Sequence, residues 1–301
     1  MKYRHVFHAG NFADLHKHLV WVALLQAMQR KDKGFLVIDT HAGAGGYDLQ
    51  SPEARQSDEA ARGIKALQAA MSASSRVPAG SDDHMHDFLS ELQRLRKAMD
   101  LKSGYPGSPL WTLALMRRQD RLVCFDTQPT EQRQLEKRLA QLDQTLTPRF
   151  KRNVKVICAD GFASLSGWLP PIERRALILF DPPYENSDGD FAALKAALVS
   201  SLGRLANAVI AIWYPIKDRA DIERALKTLR SAIVGHAPGM KDPPLLRSEL
   251  WLHPCDSRVG LNGSGMLLVN PPWQLEDTLR DFMPPLLRAL DRHGTGGWQV
   301  C

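Results

Sequence analysis

Directly after the apolar run Ala176–Phe180 ("ALILF") come an aspartate, two prolines and a tyrosine, Asp181 to Tyr184. A buried strand has no use for either proline, and a plain turn more often uses glycine or asparagine. The motif holds a carboxylate and an aromatic ring rigidly side by side, an arrangement suited to gripping a flat polar group. Three other strand-like runs also reach an aspartate: "FLVIDT" (35–40), "RLVCFD" (121–126) and "VKVICAD" (154–160). Open α/β sheets bind ligands outside the carboxyl ends of their strands, where strand order reverses. Asp39, Asp126, Asp160 and Asp181 are therefore expected on one common rim.

The first acid leads into a glycine cluster, "DTHAGAGGYD" (39–48). Gly43, with Gly45 and Gly46, lets the backbone turn tightly and approach a ligand. A dinucleotide fingerprint needs a third glycine where this chain has Asp48, and an acid there would repel a pyrophosphate. A cofactor without phosphate fits better, and S-adenosylmethionine is one. Asp126 is placed to accept from ribose hydroxyls, and Asp160 from an adenine amino group, with Gly161 leaving room for the ring. Asp181 and the Pro182 carbonyl would then face the cofactor's methyl group. Together they can accept both hydrogens of an exocyclic base amine and so free its delocalised lone pair, with the prolines preorganising the acceptors. Tyr184 is expected to stack a flipped base. A second candidate, "VNPPW" (269–273), could play the same part through Asn270 and Trp273, but it ends a strand expected to run antiparallel and is read as a structural turn.

These motifs require a doubly wound, mostly parallel sheet. Seven strand-like runs are visible: the four above, then "AVIAIWYP" (208–215), "LLRSELWL" (245–252) and "MLLVN" (266–270). No helix pattern separates the last two, which suggests antiparallel pairing. Helices are patterned at 130–144, 190–205 and 218–234. Between the first two strands lie far more residues than a crossover helix needs. Residues 50–102 are read as a small helical insertion, with a Ser/Gly/Pro-rich loop at 72–83, leaving 1–49 and 103–301 as the main domain. The expected fold is α/β, Rossmann-like, with seven strands.

Composition narrows the function classes. The chain has 301 residues, 44% hydrophobic and 24% charged, with a formal charge of +6 that leans towards a polyanionic partner. Four scattered cysteines, Cys124, Cys158, Cys255 and Cys301, form no CxxC pair, so a reducing compartment is expected and a zinc site is not. Cys124 and Cys158 fall in apolar runs, as core thiols do. His16/His18 and His84/His86 have no third ligand at a metal-binding spacing. The opening "MKYRHVFHAGNFADLHKH" is polar and unlike a signal peptide, and no apolar run approaches the length of a membrane span. A cytoplasmic protein with no membrane or metal partner is expected. No exposed apolar strip announces a dimer, so a monomer is expected too. Tyr3, His5 and Lys17 in the opening segment offer a stacking face and cations suited to nucleic acid.

With these motifs in this order, the chain resembles the bacterial 23S rRNA adenine-N6-methyltransferases of RlmJ type. The resemblance runs nearly end to end through "YRHVFHAGNFADLHKH", "DTHAGAG", "YPGSP" (105–109), "ADGF", "LILFDPPY", "WYP" (213–215) and "VNPPW". It implies a class I S-adenosylmethionine-dependent methyltransferase fold carrying a helical insertion, acting on adenine N6 of 23S rRNA, either free or in an assembly intermediate. It further implies that His18, His41, Ser108, Asp126, Asp160 and Gly161 line the cofactor site, that Asp181 is catalytic, and that Tyr3 meets the target adenine with His5 and Lys17 assisting. At 126 the family commonly has a glutamate; the shorter aspartate still suits a ribose. The alternatives are a methyltransferase of the same motif for guanine N2 or DNA adenine, and a ribosome-assembly RNA-binding protein that binds the cofactor without turnover.

Overall fold

A computed structural model describes residues 4–73, 83–100, 103–146, 152–236, 244–254, 257 and 259–301. Among them the strands are β1 (Leu36–Asp39), β2 (Gly46–Asp48), β3 (Gly104–Pro106), β4 (Arg121–Asp126), β5 (Asn153–Cys158), β6 (Ala176–Phe180), β7 (Val209–Ile216), β8 (Leu245–Trp251), β9 (Gly263–Val269) and β10 (Gly297–Val300). The helices are α1 (Phe12–Gln29), α2 (Pro52–Ser57), α3 (Ile64–Ala73), α4 (Asp83–Ala98), α5 (Ser108–Leu115), α6 (Pro129–Leu146), α7 (Gly161–Ser164), α8 (Ser187–Arg204), α9 (Arg219–His236) and α10 (Leu275–Leu290).

The main sheet runs β10-β8-β9-β7-β6-β1-β4-β5. From β7 to β5 neighbouring strands are parallel. The remaining pairs, β7 with β9, β9 with β8 and β8 with β10, are antiparallel. All seven expected strands are present, and β8 and β9 do pair directly. The sheet nevertheless has eight strands, not seven. The eighth, β10, is four residues long and begins with a glycine ("GWQV"), too short and too broken to show a period. It pairs with β8 from Gly297 opposite Trp251 to Val300 opposite Ser248, and reciprocal backbone bonds between Arg247 and Cys301 continue the pairing beyond it.

Side chains alternate across the sheet, and both faces are covered. Every residue of β1 and β6 is buried, which is why these strands read as unbroken apolar runs. Val37, Leu122, Leu177 and Leu179 pack with Trp21 of α1 and Trp111 of α5. Leu36, Ile38, Ile178 and Phe180 pack against Leu194 and Leu198 of α8 and Ile222 of α9. At the edge, β5 has no fully buried residue. Cys158 at its end is exposed, so it is not the core thiol its run suggests, whereas Cys124 in β4 is buried.

The long segment between β1 and β4 is helical, as α2, α3 and α4. The ribbon β2–β3 closes its base by antiparallel pairing of Tyr47 with Tyr105. Its apolar residues Leu67, Phe88, Leu92 and Leu95 join the same core as Trp21 and Trp111. Of the loop expected at 72–83, residues 74–82 lie outside the described residues, while Ser72 and Ala73 end α3 and Asp83 begins α4.

Candidate active site

The carboxyl ends of β6, β1, β4 and β5 lie side by side and bring Asp181, Asp39, Asp126 and Asp160 to one rim. Strand order reverses at β1, with β4 and β5 on one side and β6 and β7 on the other. That is where open α/β sheets form a ligand crevice.

Asp39 is fully buried and accepts a 2.7 Å hydrogen bond from Ser108 Oγ. Burial pushes its pKa up to about 7 and the Asp181 charge adds to this, while the Ser108 bond opposes it. Ser108 opens α5 straight after β3, so the ribbon aims it at β1. Asp126 accepts from the Gly43 amide at 3.1 Å and from the Gln128 amide at 2.7 Å. These bonds tie the glycine loop to the end of β4. Gly43 has φ +58°, and a Cβ there would collide with the Tyr47 hydroxyl. Asp160 is exposed and caps α7, accepting from the amides of Phe162 and Ala163. Gly161 presses on β1; a Cβ would strike the Thr40 carbonyl oxygen.

Two of the residues expected at the cofactor site are histidines. His41 bonds the Thr40 hydroxyl through Nδ1 at 2.8 Å and meets the Phe162 ring at 4.8 Å between centroids. Burial lowers its pKa, although Asp181, Asp160 and Asp126 pull the other way. His18 is buried with Nδ1 2.9 Å from the Tyr105 hydroxyl, and burial brings its pKa down to about 3. It is a neutral ring.

The catalytic candidate is held from below by α1. Lys17 Nζ donates to Asp181 Oδ2 at 2.7 Å and lies 2.9 Å from Asp14 Oδ1. Lys17 is only 4% exposed, so it is not the RNA-facing cation expected from the sequence. Its stem belongs to a core helix, and two carboxylates compensate the buried ammonium. Asp14 also accepts from the Gly10 amide at 3.0 Å, and its Oδ2 lies 2.9 Å from His5 Nε2. Burial pushes the Asp14 carboxyl up, but His5 and Lys17 outweigh this and hold it well below the usual range. His5 packs its ring on Tyr47 at 4.9 Å. Tyr3 lies outside the described residues.

Tyr184 also departs from expectation. It is 3% exposed, its ring packs against Phe191 and Trp213, and its hydroxyl donates to the Trp213 carbonyl at 2.6 Å. It offers no open face to a base in this conformation. It is a buckle between the Asp-Pro-Pro turn and β7, with φ +53°, a backbone conformation costly for a bulky residue and found most often at functional turns.

Sequence similarity agrees with this geometry. Residues 32–301 match the family described as ribosomal RNA large subunit methyltransferase D, RlmJ. The chain belongs to the RlmJ family. A curated relative from Escherichia coli K12, ribosomal RNA large subunit methyltransferase J, is 36% identical over 98% of this chain and 96% of its own. The protein of the same name from Haemophilus influenzae is 34% identical over 100% of this chain and 98% of its own. A crystal structure of a Legionella pneumophila protein superposes with TM-score 0.80 at 28% identity, covering 98% of each chain. As a member of the RlmJ family the chain is a methyltransferase, and its donor set suits S-adenosylmethionine. Carboxylates on the rim match hydroxyls, an amine and a sulfonium, and would repel a phosphate.

Sequence reasoning missed Asp14 altogether in this RlmJ fold. The signal was present, since Asp14 and Lys17 stand three apart in "FADLHKHLVWVALL", a helix otherwise too apolar to face solvent. Asn270, the rival acceptor, lies at the opposite edge of the sheet. Its amide donates to the Ala206 and Ala208 carbonyls. Among the described residues no cluster of His, Cys, Asp and Glu could hold a metal, and no helix is long and apolar enough to cross a membrane.

Proposed function

We propose that this protein transfers the methyl group of S-adenosylmethionine to N6 of a flipped adenine in 23S rRNA, as a monomeric cytoplasmic enzyme. The observation that carries this reading is Asp181, at the end of β6 beside β1, clamped by Lys17 and followed by two prolines. Family membership supports the large-subunit rRNA substrate.

His41, Gly43, Ser108, Asp126, Asp160 and Gly161 would hold the cofactor, with His18 behind Tyr105 fixing the floor. Asp126 would accept from ribose hydroxyls and Asp160 from the adenine amino group. When bound, the cofactor supplies an electrophilic methyl on a sulfonium. Lys17 occupies Asp181 Oδ2 and fixes the carboxylate's orientation; Oδ1 takes no hydrogen bond among the described residues. Oδ1 and the Pro182 carbonyl would accept the two hydrogens of the adenine amine, turning its lone pair towards the methyl. After transfer the nitrogen loses one proton to Asp181 and thence to water. No acceptor has to reorganise during the step, the condition under which preorganised polar groups lower barriers most. Tyr184 acts here by fixing the turn, and His5 by bracing Asp14.

The test is incubation with tritiated S-adenosylmethionine and protein-free 23S rRNA from cells lacking the enzyme, followed by nucleoside analysis. Label in N6-methyladenosine is expected. Label in a guanine N2 product, or binding of the cofactor with no label on free RNA or on ribosomal particles, would overturn the proposal.

A further inference from the structure

The edge of the sheet opposite the active site carries a second feature of nucleic-acid-binding character. The loops that enter β1, β4 and β6 meet there. Arg117 reaches the Lys31 and Lys33 carbonyls, Gln119 reaches the Asp32 carbonyl, and Arg175 reaches the Lys33 and Met28 carbonyls. The turn after β9 joins them, because Arg30 donates to the Trp273 carbonyl at 2.8 Å. These four segments form one continuous surface.

Its charge is one-sided. Arg30, Lys31, Lys33, Arg118 and Arg174 are exposed. Two of the nearby acids are turned inward: Asp120 is fully buried under Arg117, and Glu173 is paired with Arg121 at 2.6 Å. Asp32 is the exposed acid in these loops, and the adjoining α10 begins with Glu276, which is paired with Arg280, and Asp277. Beside the cations stands Trp273, 80% exposed. An indole this exposed adds little to the core, whereas an indole flanked by cations can stack an unpaired base while the cations hold the phosphates.

We infer that this edge is a second RNA-contact surface, in which Trp273 stacks an unpaired base and Lys31, Lys33 and their neighbours hold the flanking phosphates, engaging the substrate rRNA at a place remote from the methylated adenine. The inference rests on the RNA-methylating reading of the active site. It assigns the Asn-Pro-Pro-Trp turn a use: Asn270 fastens the turn to the α8–β7 loop, the prolines stiffen it, and Trp273 is presented. The two edges are separated by the height of the parallel strands, about 20 Å for strands of five to six residues. Only an RNA large enough to reach round the sheet can engage both.

The test measures binding and methylation of full-length 23S rRNA beside the shortest transcript that the wild-type chain methylates. The variants are Trp273→Ala, Trp273→Tyr and the pair Lys31→Glu/Lys33→Glu. Trp273→Ala is expected to weaken binding of full-length rRNA about tenfold, while Trp273→Tyr keeps it, since any aromatic face stacks. The charge pair is expected to weaken it as much and to lower the slope of log affinity against log salt by about 2. The affinity and turnover of the shortest transcript stay as in wild type. Should Trp273→Ala fail to fold, retained binding by Trp273→Tyr with loss by the charge pair still supports the surface. Unchanged affinity and salt slope for full-length rRNA overturn it, as they would if the edge served a protein partner. Equal losses on the shortest transcript overturn it too, by placing the effect in the active site. If the wild-type chain methylates no RNA, a short non-substrate RNA replaces the shortest transcript. The proposed function then fails, and the binding measurements still decide the surface.

Discussion

Asp181 is one acid among four on the rim, and what distinguishes it is the cation beneath it. Asp39 is buried against Ser108, Asp126 is occupied by two backbone amides, and Asp160 caps a helix. Asp181 has one oxygen held by Lys17, and the other takes no hydrogen bond among the described residues. Asp181→Ala is therefore expected to lower methyl transfer by more than about 10²-fold while calorimetry shows the cofactor still bound. Equal turnover by the variant would remove Asp181 from the mechanism. Lys17→Met leaves Asp14 and Asp181 facing one another without their shared cation. Removing one partner of a buried ion pair typically costs about 3–5 kcal/mol. Denaturant unfolding should show a loss of that order, and Asp14→Asn in the same chain should restore part of it, because the two changes touch one network. A purely additive loss would mean that Lys17 and Asp14 do not act as a unit. The sequence showed the four acids because each ends a recognisable strand. It hid the role of Lys17, because a lysine near a chain terminus reads as solvated until the burial of its helix is known.

At the scale of elements, the site depends on two short segments pressed into place. The helix α7 lies so close to β1 that Gly161 has no room for a side chain. Gly161→Ala must push α7 and its capping Asp160 outward, and isothermal titration should show cofactor affinity falling about tenfold with the fold intact, a displacement effect of the kind that small errors in positioning produce. Unaltered affinity would mean that α7 does not form the cofactor wall. The second segment is the single turn His5–Phe7 with the loop to Asn11, which carries His5 to Asp14. It is clasped by the turn at Glu59–Arg62: His8 Nδ1 lies 3.0 Å from Glu59, and Asn11 donates to Glu59 at 2.8 Å. Glu59, assisted by the Asp14 charge, raises the His8 pKa above 6.5 against the effect of burial. Burial raises the Glu59 carboxyl, but His8 and Asn11 outweigh it and bring it below 4.5. The His8 contribution is complete below its unfolded pKa and is lost as pH rises through its folded value. The Glu59 contribution is complete above its own unfolded pKa and is lost as pH falls through its folded value. Hydrogen exchange of residues 4–11, corrected for intrinsic rate, should be faster at about pH 8.5 than at about pH 6, and Glu59→Gln should abolish the difference. Identical protection at both pH values in the wild type would dissolve the clasp. Neither segment is legible as structure in the sequence, since a four-residue helix and a one-turn helix are too short to carry a period, although Gly161 and His5 stand out there as candidate site residues.

Across the whole molecule, the sheet was readable because its central strands are buried on both faces, and β10 was not because an edge strand of four residues needs no apolar run. The helices between β2 and β3 are the subtler case. Their length and composition read as a separate insertion, yet a short amphipathic helix carries no mark of what its apolar face will meet. Here that face meets the main domain: Phe88 of α4 stacks on Trp111 of α5 with centroids 4.5 Å apart and planes 22° apart, and Leu92 and Leu95 join the core that holds Trp21 and Trp111. Phe88 is 3% exposed, so truncating it opens a cavity between the two parts. Phe88→Ala is expected to cost about 3–5 kcal/mol of global stability. Since the helices and the sheet share one core, the loss should appear as a single transition, with far-ultraviolet circular dichroism and tryptophan fluorescence melting together at a lower denaturant concentration. The N-terminal clasp runs through the same helices, from Arg4 to Glu53 and from His8 to Glu59, so local melting of that part would also release His5 from Asp14 and slow methyl transfer. Two separated transitions in Phe88→Ala, with the sheet surviving the first, would instead make the helical segment an independent unit and remove the route by which its stability reaches the active site.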